Sequence, residues 1–554
     1  MKKEILVLTF IVLLGGFLRF WRLSSRPVSL SIDEVAIAYN SYSILKTGRD
    51  EWGKVLPPSF RSVGDYKLPV LEYLMVPAMA VFGLTEFGTR FTVAAISSLT
   101  LIFVYLLMKE MTNHKTIALL TTFSLAISPW HIQYSRMTSE AIVALSLVIV
   151  GTWLFLNSLK EKGKFFWLVA FLFGLSLFTY HSERLFVPLF ILGLGVIFQK
   201  KIFQKEKRKN LLLAILIWII FFVPFIVFMF GPEGGTRATN VFISRDVEIR
   251  YYLHEAGEKL NLWQKIFDNN FLQIVNFWVK RYFEYFDFPY LFFNGMSLSI
   301  ADAPGVGLFH LFELPFLILG AWEIFLKRKF LSREMFTLLS FWIALGPLAA
   351  SLANNKLHPL RSLTLIPSIH LIVATGIFIF WEKVKVLASL KKLVLIIAGL
   401  LVVVISLIFY LDLYHFHYPI NFSEYWSYGM KEAALYAWSH QKEYEKIVID
   451  PSFGTQGPFT VSTPHLYVYF YGKYDPWLLQ NDPLHGKGEN KDSSDFLNFS
   501  FRPIYWPTDR FTKNTLFIGS PWSLPPDELL NAKLLQKIYF KNGAIALLIV
   551  STKK

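Results

Sequence analysis

The sequence predicts a polytopic α-helical membrane protein with a small α/β domain at its C-terminal end. Three observations predict it. Of the 554 residues 54% are hydrophobic and only 17% charged. The apolar residues gather into runs of membrane-crossing length with basic clusters between them. After Asp412 the runs shrink to strand length, and Pro, Gly, Asn and Asp become frequent. A mean hydropathy of +0.43 lies above that of a soluble globular chain of this size. The net charge of +15 does not point to nucleic acid, because the basic residues sit in short clusters between apolar runs. The absence of cysteine excludes disulfides, thiolate catalysis and cysteine-bound zinc.

About eleven spans are predicted, at 4–22, 88–109, 116–132, 138–159, 165–181, 184–199, 211–230, 308–326, 334–353, 361–381 and 393–411. The first reads as a retained helix, since Arg19, Phe20, Trp21 and Arg22 stand where a signal-peptide cleavage site needs small residues. The stretch SIDEVAIAY, with Ser31 as cap, opens a helix in the loop that follows, 23–87. Residues 47–69 read as an ordered, turn-rich loop punctuated by Gly48, Gly53, Gly64, Pro57, Pro58 and Pro69. Pro69 to Phe82 is too short and Pro-interrupted for a span and is predicted to lie along the membrane surface. Loop charge supports that choice: with the segment skipped, every basic cluster falls on one side, the cytoplasm, together with the N-terminus. A plasma-membrane protein with the loops 23–87 and 231–307 and the tail outside the cell is the result. The long loop contains the amphipathic FLQIVNFWVKRYFEYF, a second candidate for a surface helix. Domain 1–411 is thus the membrane domain and 412–554 the extracytoplasmic α/β domain. In the latter YGMKEAALYAWSHQ reads as a helix, EKIVID and NTLFIG as buried strands, and LLQKIYFKNGAIALLIVS as two strands about an Asn542-Gly543 turn.

Chemistry-bearing residues crowd into the outer loops. Asp33 and Glu34 admit two readings: acids that complement a helix N-terminus, or a carboxylate serving as general base at the water–lipid boundary. Asp65 and Lys67 flank Tyr66 just before Pro69, where a lipid phosphate would lie. Arg90, Arg136, His358 and Arg361 fall on the same side. Each alone reads as a snorkelling interfacial cation; together with the acids they suggest a place to hold a phosphate and stabilise it as it leaves. The cluster His181, Glu183 and Arg184 reads as a self-neutralising turn. No HExxH, phosphate-loop, GxSxG or dinucleotide fingerprint occurs.

The segments SIDEVAIAYNSYSILKTGRDEWGKVLPPSF and GDYKLPVLEYLMVPAMAVFGLTEFGTRFTVAAISSL resemble the first outer loop and second span of the GT-C membrane glycosyltransferases. The likeness is to the bacterial relatives of protein O-mannosyltransferases and of the lipid A aminoarabinose transferase. SPWHIQYSR, HPLRSLTLIP and YGMKEAALYA resemble later landmarks. The resemblance implies a GT-C fold and a polyprenyl-phosphate sugar donor. It implies Asp33 as the base of the DE motif beside Glu34. Lys67, Arg90, His358 and Arg361 become donor-phosphate ligands, joined on topology alone by Arg136, and Asp65 becomes a divalent-metal ligand. The order Asp65, Tyr66, Lys67, Leu68, Pro69 departs from the family's acid-x-x-basic-Pro, so metal use stays open. The chemistry closes on its own terms: such a donor already carries a leaving group, so the enzyme aligns an acceptor hydroxyl, takes its proton and neutralises the departing phosphate. Direct attack inverts the anomeric centre. The sugar stays open, as does the acceptor, whether protein, lipid or wall glycan. A transporter or lipid-linked-sugar flippase is the rival reading, and it predicts charges in mid-span.

Overall fold

The computed structural model describes residues 2–62, 65–231, 242–246, 249–251, 263, 269–295, 305–354, 357–455, 460–485, 495–530 and 532–553. The chain divides into two compact units, one formed by Met1–Trp21, Val93–Ser135 and Ser139–Leu413, the other by Arg22–Thr92, Arg136–Thr138 and Tyr414–Lys554. One boundary between the units lies at Leu413/Tyr414. The first loop after α1 (Lys2–Phe20), however, is grouped with the C-terminal region.

A helix overlaps each predicted span. Among the described residues six helices are long and apolar enough to cross a membrane: Glu86–Thr112, Glu140–Lys160, Lys205–Phe230, Arg333–Ser351, Pro359–Lys385 and Ser389–Asn421. The predicted span 308–326 starts its helix later, at Glu313, because the Glu313 carboxylate folds back to accept the His310 N–H at 3.0 Å. Backbones meet without intervening side chains where Glu313–Ala321 packs on Ile366–Lys385. A Cβ on Gly320 would stand 1.9 Å from the Ile372 carbonyl oxygen, and one on Gly376 2.0 Å from that of Phe316.

The second unit holds the loop helices and the sheet. Helix α2 (Ile32–Thr47) packs against α3 (Pro69–Phe82), whose bounds are those read from the sequence. Between them the turn-rich loop forms an unforeseen hairpin, β1 (Phe60–Ser62) with β2 (Asp65–Lys67). In the C-terminal region β3 (Lys446–Ile449), β4 (Ser452–Phe453), β5 (Thr460–Val461), β6 (Phe499–Phe501), β7 (Thr515–Gly519), β8 (Lys533–Tyr539) and β9 (Ile545–Ser551) follow in order. Five of them make one sheet, β6-β3-β7-β9-β8. Its first three strands are parallel and the last two antiparallel neighbours. The turn joining β8 to β9 carries Gly543 at φ 88, which only a residue without Cβ adopts freely. Val448, Phe517, Leu548 and Val550 pack with Ile504, Trp506 and Leu524 into the core on one face. The helix Pro464–Tyr471 leaves the sheet region to pack on α2. There Tyr467 donates to the Leu30 carbonyl at 2.9 Å, and Tyr39 to the Tyr474 carbonyl at 3.1 Å. Gln480 donates to Ser43, Thr47 and the Asp50 carbonyl.

Candidate functional site

The start of α2 separates the two neighbouring acids. Ser31 accepts the Glu34 N–H through its hydroxyl at 3.3 Å, and Glu34 Oε2 accepts the Ser31 N–H at 2.9 Å, a reciprocal capping box. That bond turns Glu34 inward, where it is 0% exposed. Asp33, one position earlier on a helix, points elsewhere, and its side chain is 63% exposed. Lys67 reaches it, Nζ to Oδ1 2.8 Å, from the end of β2, where the hairpin register pairs Lys67 with Phe60. The Lys67 side chain is only 13% exposed, so its ammonium is fixed by the hairpin at an open carboxylate on a helix N-terminus.

Glu34 and Arg90 are placed differently from the sequence expectation. Arg90 gives Nε and Nη2 to Glu34 at 2.9 and 3.1 Å. Its remaining N–H groups go to the carbonyls of Leu23 (3.2 Å), Pro27 (3.0 Å) and Ser29. All five donors of the guanidinium are used, and the side chain is 0% exposed. Glu34 Oε1 also accepts the Thr138 N–H at 3.1 Å. Arg90 therefore has no donor to offer a phosphate, and the Glu34 carboxylate is saturated. The two form a buried strut that ties the segment before Asp33 to residues 86–92, with every donor of Arg90 and both oxygens of Glu34 engaged.

Arg136 is in the same unit and fully buried, donating to the Arg26 carbonyl at 3.3 Å with its guanidinium 5.4 Å from the Tyr414 ring centre. Arg26 in turn donates Nε to the His415 carbonyl at 2.8 Å. Burial, then the charges of Arg22 and, more weakly, Arg136, pull the Arg26 guanidinium below its ordinary value. Arg22 and Arg26 thus stand with Arg136 in one cationic cluster, which the sequence reading missed although FWRLSSRP follows the first span directly. His358 and Arg361 belong to the helical unit. The His358 N–H donates to the Tyr285 hydroxyl at 3.1 Å, and Arg361 Nη1 is buried without a hydrogen-bond partner among the described residues. Asp65 pairs in backbone register with Ser62; the metal-ligand expectation falls on its side chain, which lies outside the described ones. Among the described residues no three His, Asp or Glu side chains group to hold a metal ion.

The fold has counterparts among solved structures. Residues 66–228 match the dolichyl-phosphate-mannose-protein mannosyltransferase family. ArnT from Cupriavidus metallidurans, in the structure bound to undecaprenyl phosphate, superposes with a TM-score of 0.56 at 14% identity, over 98% of this chain and 97% of that one. The Archaeoglobus fulgidus oligosaccharyltransferase, tethered to an acceptor peptide, gives 0.52 at 13% identity over 99% and 74%. An uncharacterized protein of Aquifex aeolicus (strain VF5) is 27% identical over 200 residues. That match takes in 36% of this chain and spans 37% of the relative's length.

Proposed function

We propose that the protein moves a sugar from a polyprenyl-phosphate donor to an acceptor hydroxyl, with Asp33 as base and Lys67 as the cation for the donor phosphate. The 2.8 Å contact between an exposed carboxylate and a nearly buried ammonium carries this reading. The acceptor oxygen attacks the anomeric carbon, its proton passes to Asp33, and the bond from that carbon to the phosphate oxygen breaks. The lipid phosphate departs with an added negative charge. Lys67 stands beside the base to offset that charge as it forms, a charge-assisted contact worth most in a partly desolvated setting. One displacement inverts the anomeric centre. The strut of Glu34 and Arg90 orients the start of α2 and so acts through Asp33, as a positioning device.

The reading places the site on the extracytoplasmic face of the plasma membrane. Arg136, and on sequence grounds His358 and Arg361, remain in it as further cations for the donor phosphate. The described residues supply no metal-holding set, and no step is routed through a metal. That ArnT has been seen with undecaprenyl phosphate and the archaeal enzyme with an acceptor peptide supports a lipid-linked donor and an acceptor in general terms. The test is to incubate the purified protein with a panel of undecaprenyl-phosphate sugars and membrane fractions and to follow hexose or pentose gain by mass spectrometry. Transfer that Asp33→Asn abolishes while donor binding persists is the expected result. Absence of transfer from every lipid-linked donor, or full transfer by the variant, rejects it and favours a transporter or flippase.

A further inference from the structure

The three parallel strands of the C-terminal sheet have an order with a consequence. From β3 the chain returns on one side as β6 and on the other as β7. The connections therefore diverge at the carboxyl ends of β3 and β7, the position at which open parallel sheets form a ligand crevice.

The residues standing there are of two kinds. Asp450, directly after β3, is 1% exposed and accepts the N–H groups of Ser452 at 2.7 Å and Ile504 at 2.9 Å. Ser520, directly after β7, is also 1% exposed, and its hydroxyl has no hydrogen-bond partner among the described residues. A buried hydroxyl left in that state is costly and uncommon. At the rim are two large rings turned to solvent, Tyr505 at 65% and Trp522 at 59% exposure. Both belong to the same place. A Cβ on Gly519 would meet Ser523, next to Trp522, at 2.5 Å and Ile504, next to Tyr505, at 3.1 Å. Glycine at the end of β7 thus lets the two ring-bearing segments close on the strand end. Arg502, which follows β6, is bound to Asp509 by two bonds of 2.9 and 2.7 Å.

We propose that this strand-end crevice, built by Ser520, Tyr505 and Trp522 above Asp450, is a binding site for a neutral saccharide. A pyranose offers both things the crevice lacks: a C–H face to cover an exposed ring and hydroxyls to partner the Ser520 oxygen. With Arg502 paired to Asp509 and the Asp450 carboxylate beneath, a phosphorylated or carboxylated ligand is disfavoured. The inference does not rest on the Asp33 chemistry.

The test is equilibrium binding to the full-length protein in lipid nanodiscs, read by calorimetry and saturation-transfer NMR. The ligands are neutral oligosaccharides of glucose, galactose, mannose and N-acetylglucosamine, with their phosphorylated counterparts. At least one neutral oligosaccharide binds, and Trp522→Ala and Tyr505→Ala each weaken it by roughly tenfold or more. Both side chains are exposed, so the variants melt with the wild type, while Asp33→Asn binds as the wild type does. The proposal is overturned if no neutral oligosaccharide binds at millimolar concentration. Unchanged binding by both aromatic variants overturns it too, as does binding of phosphorylated forms alone.

Discussion

Replacing Glu34 by Gln lowers stability, and replacing Asp33 by Asn lowers turnover, although the two residues are neighbours. Glu34 sits where four N–H groups converge: Ser31, two from Arg90, and Thr138. A glutamine amide keeps one acceptor oxygen, and either way it is turned its NH2 group faces donors while the Arg90 charge loses its counter-charge at 0% exposure. Breaking a buried pair in this manner costs about 3–5 kcal/mol. At about 2–4 °C per kcal/mol for a unit of this size, the melting temperature falls by roughly 6–20 °C. Asp33, with its side chain 63% exposed, makes a half-open pair whose loss costs about 0–1 kcal/mol. Loss of a general base, by contrast, slows turnover by about 10²- to 10⁴-fold, or about 3–5 kcal/mol of barrier. Thermal unfolding in detergent and sugar transfer measured by mass spectrometry read the two quantities separately. A Glu34→Gln protein as stable as the wild type, or an Asp33→Asn protein that transfers at the normal rate, refutes the division of labour.

Other predictions follow from the same contacts. Lys67→Met leaves the melting temperature nearly unchanged and weakens donor binding about 10- to 100-fold, measured by titration with undecaprenyl phosphate. Arg90→Lys does not restore stability, since one ammonium cannot replace a five-donor fork; its melting point should track Arg90→Ala. Gly376→Ala forces a methyl group against the Phe316 carbonyl and lowers the yield of folded protein, read by size-exclusion profile. Burial pushes the Asp509 carboxyl up, but the Arg502 guanidinium and the Tyr505 N–H outweigh it and hold the group below its ordinary value. Its contribution is therefore complete above the unfolded value of about 3.9 and is lost as pH falls through the lower folded value. Arg502→Met should flatten the acid limb of a stability profile.

Long apolar runs made the helical unit legible, because twenty-residue periodicity needs no partner to be recognised. The same holds for α2, α3 and the strands β3, β7, β8 and β9, each marked by a cap, a proline or a β-branched run. What escaped were features with short or distant signals. β6 is three residues, FSF, and becomes a strand through pairing with β3. The β1–β2 hairpin is two three-residue strands inside a loop full of turn formers. For the site, Asp33 and Lys67 were both named in advance, and the structure joins them by one ion pair. The capping box was also legible in SIDE. Its consequence was not: once Glu34 is turned inward, Arg90 is drawn to it rather than to an outside phosphate, and only three-dimensional placement reveals that.

The bond from Tyr467 to the Leu30 carbonyl joins positions 437 residues apart. During synthesis the segment that carries Asp33 emerges early, whereas the helix that braces it emerges near the end. For most of translation the acid therefore waits without its support. A ribosome that stops short of Pro464 releases a chain in which the segment around Asp33 lacks that brace.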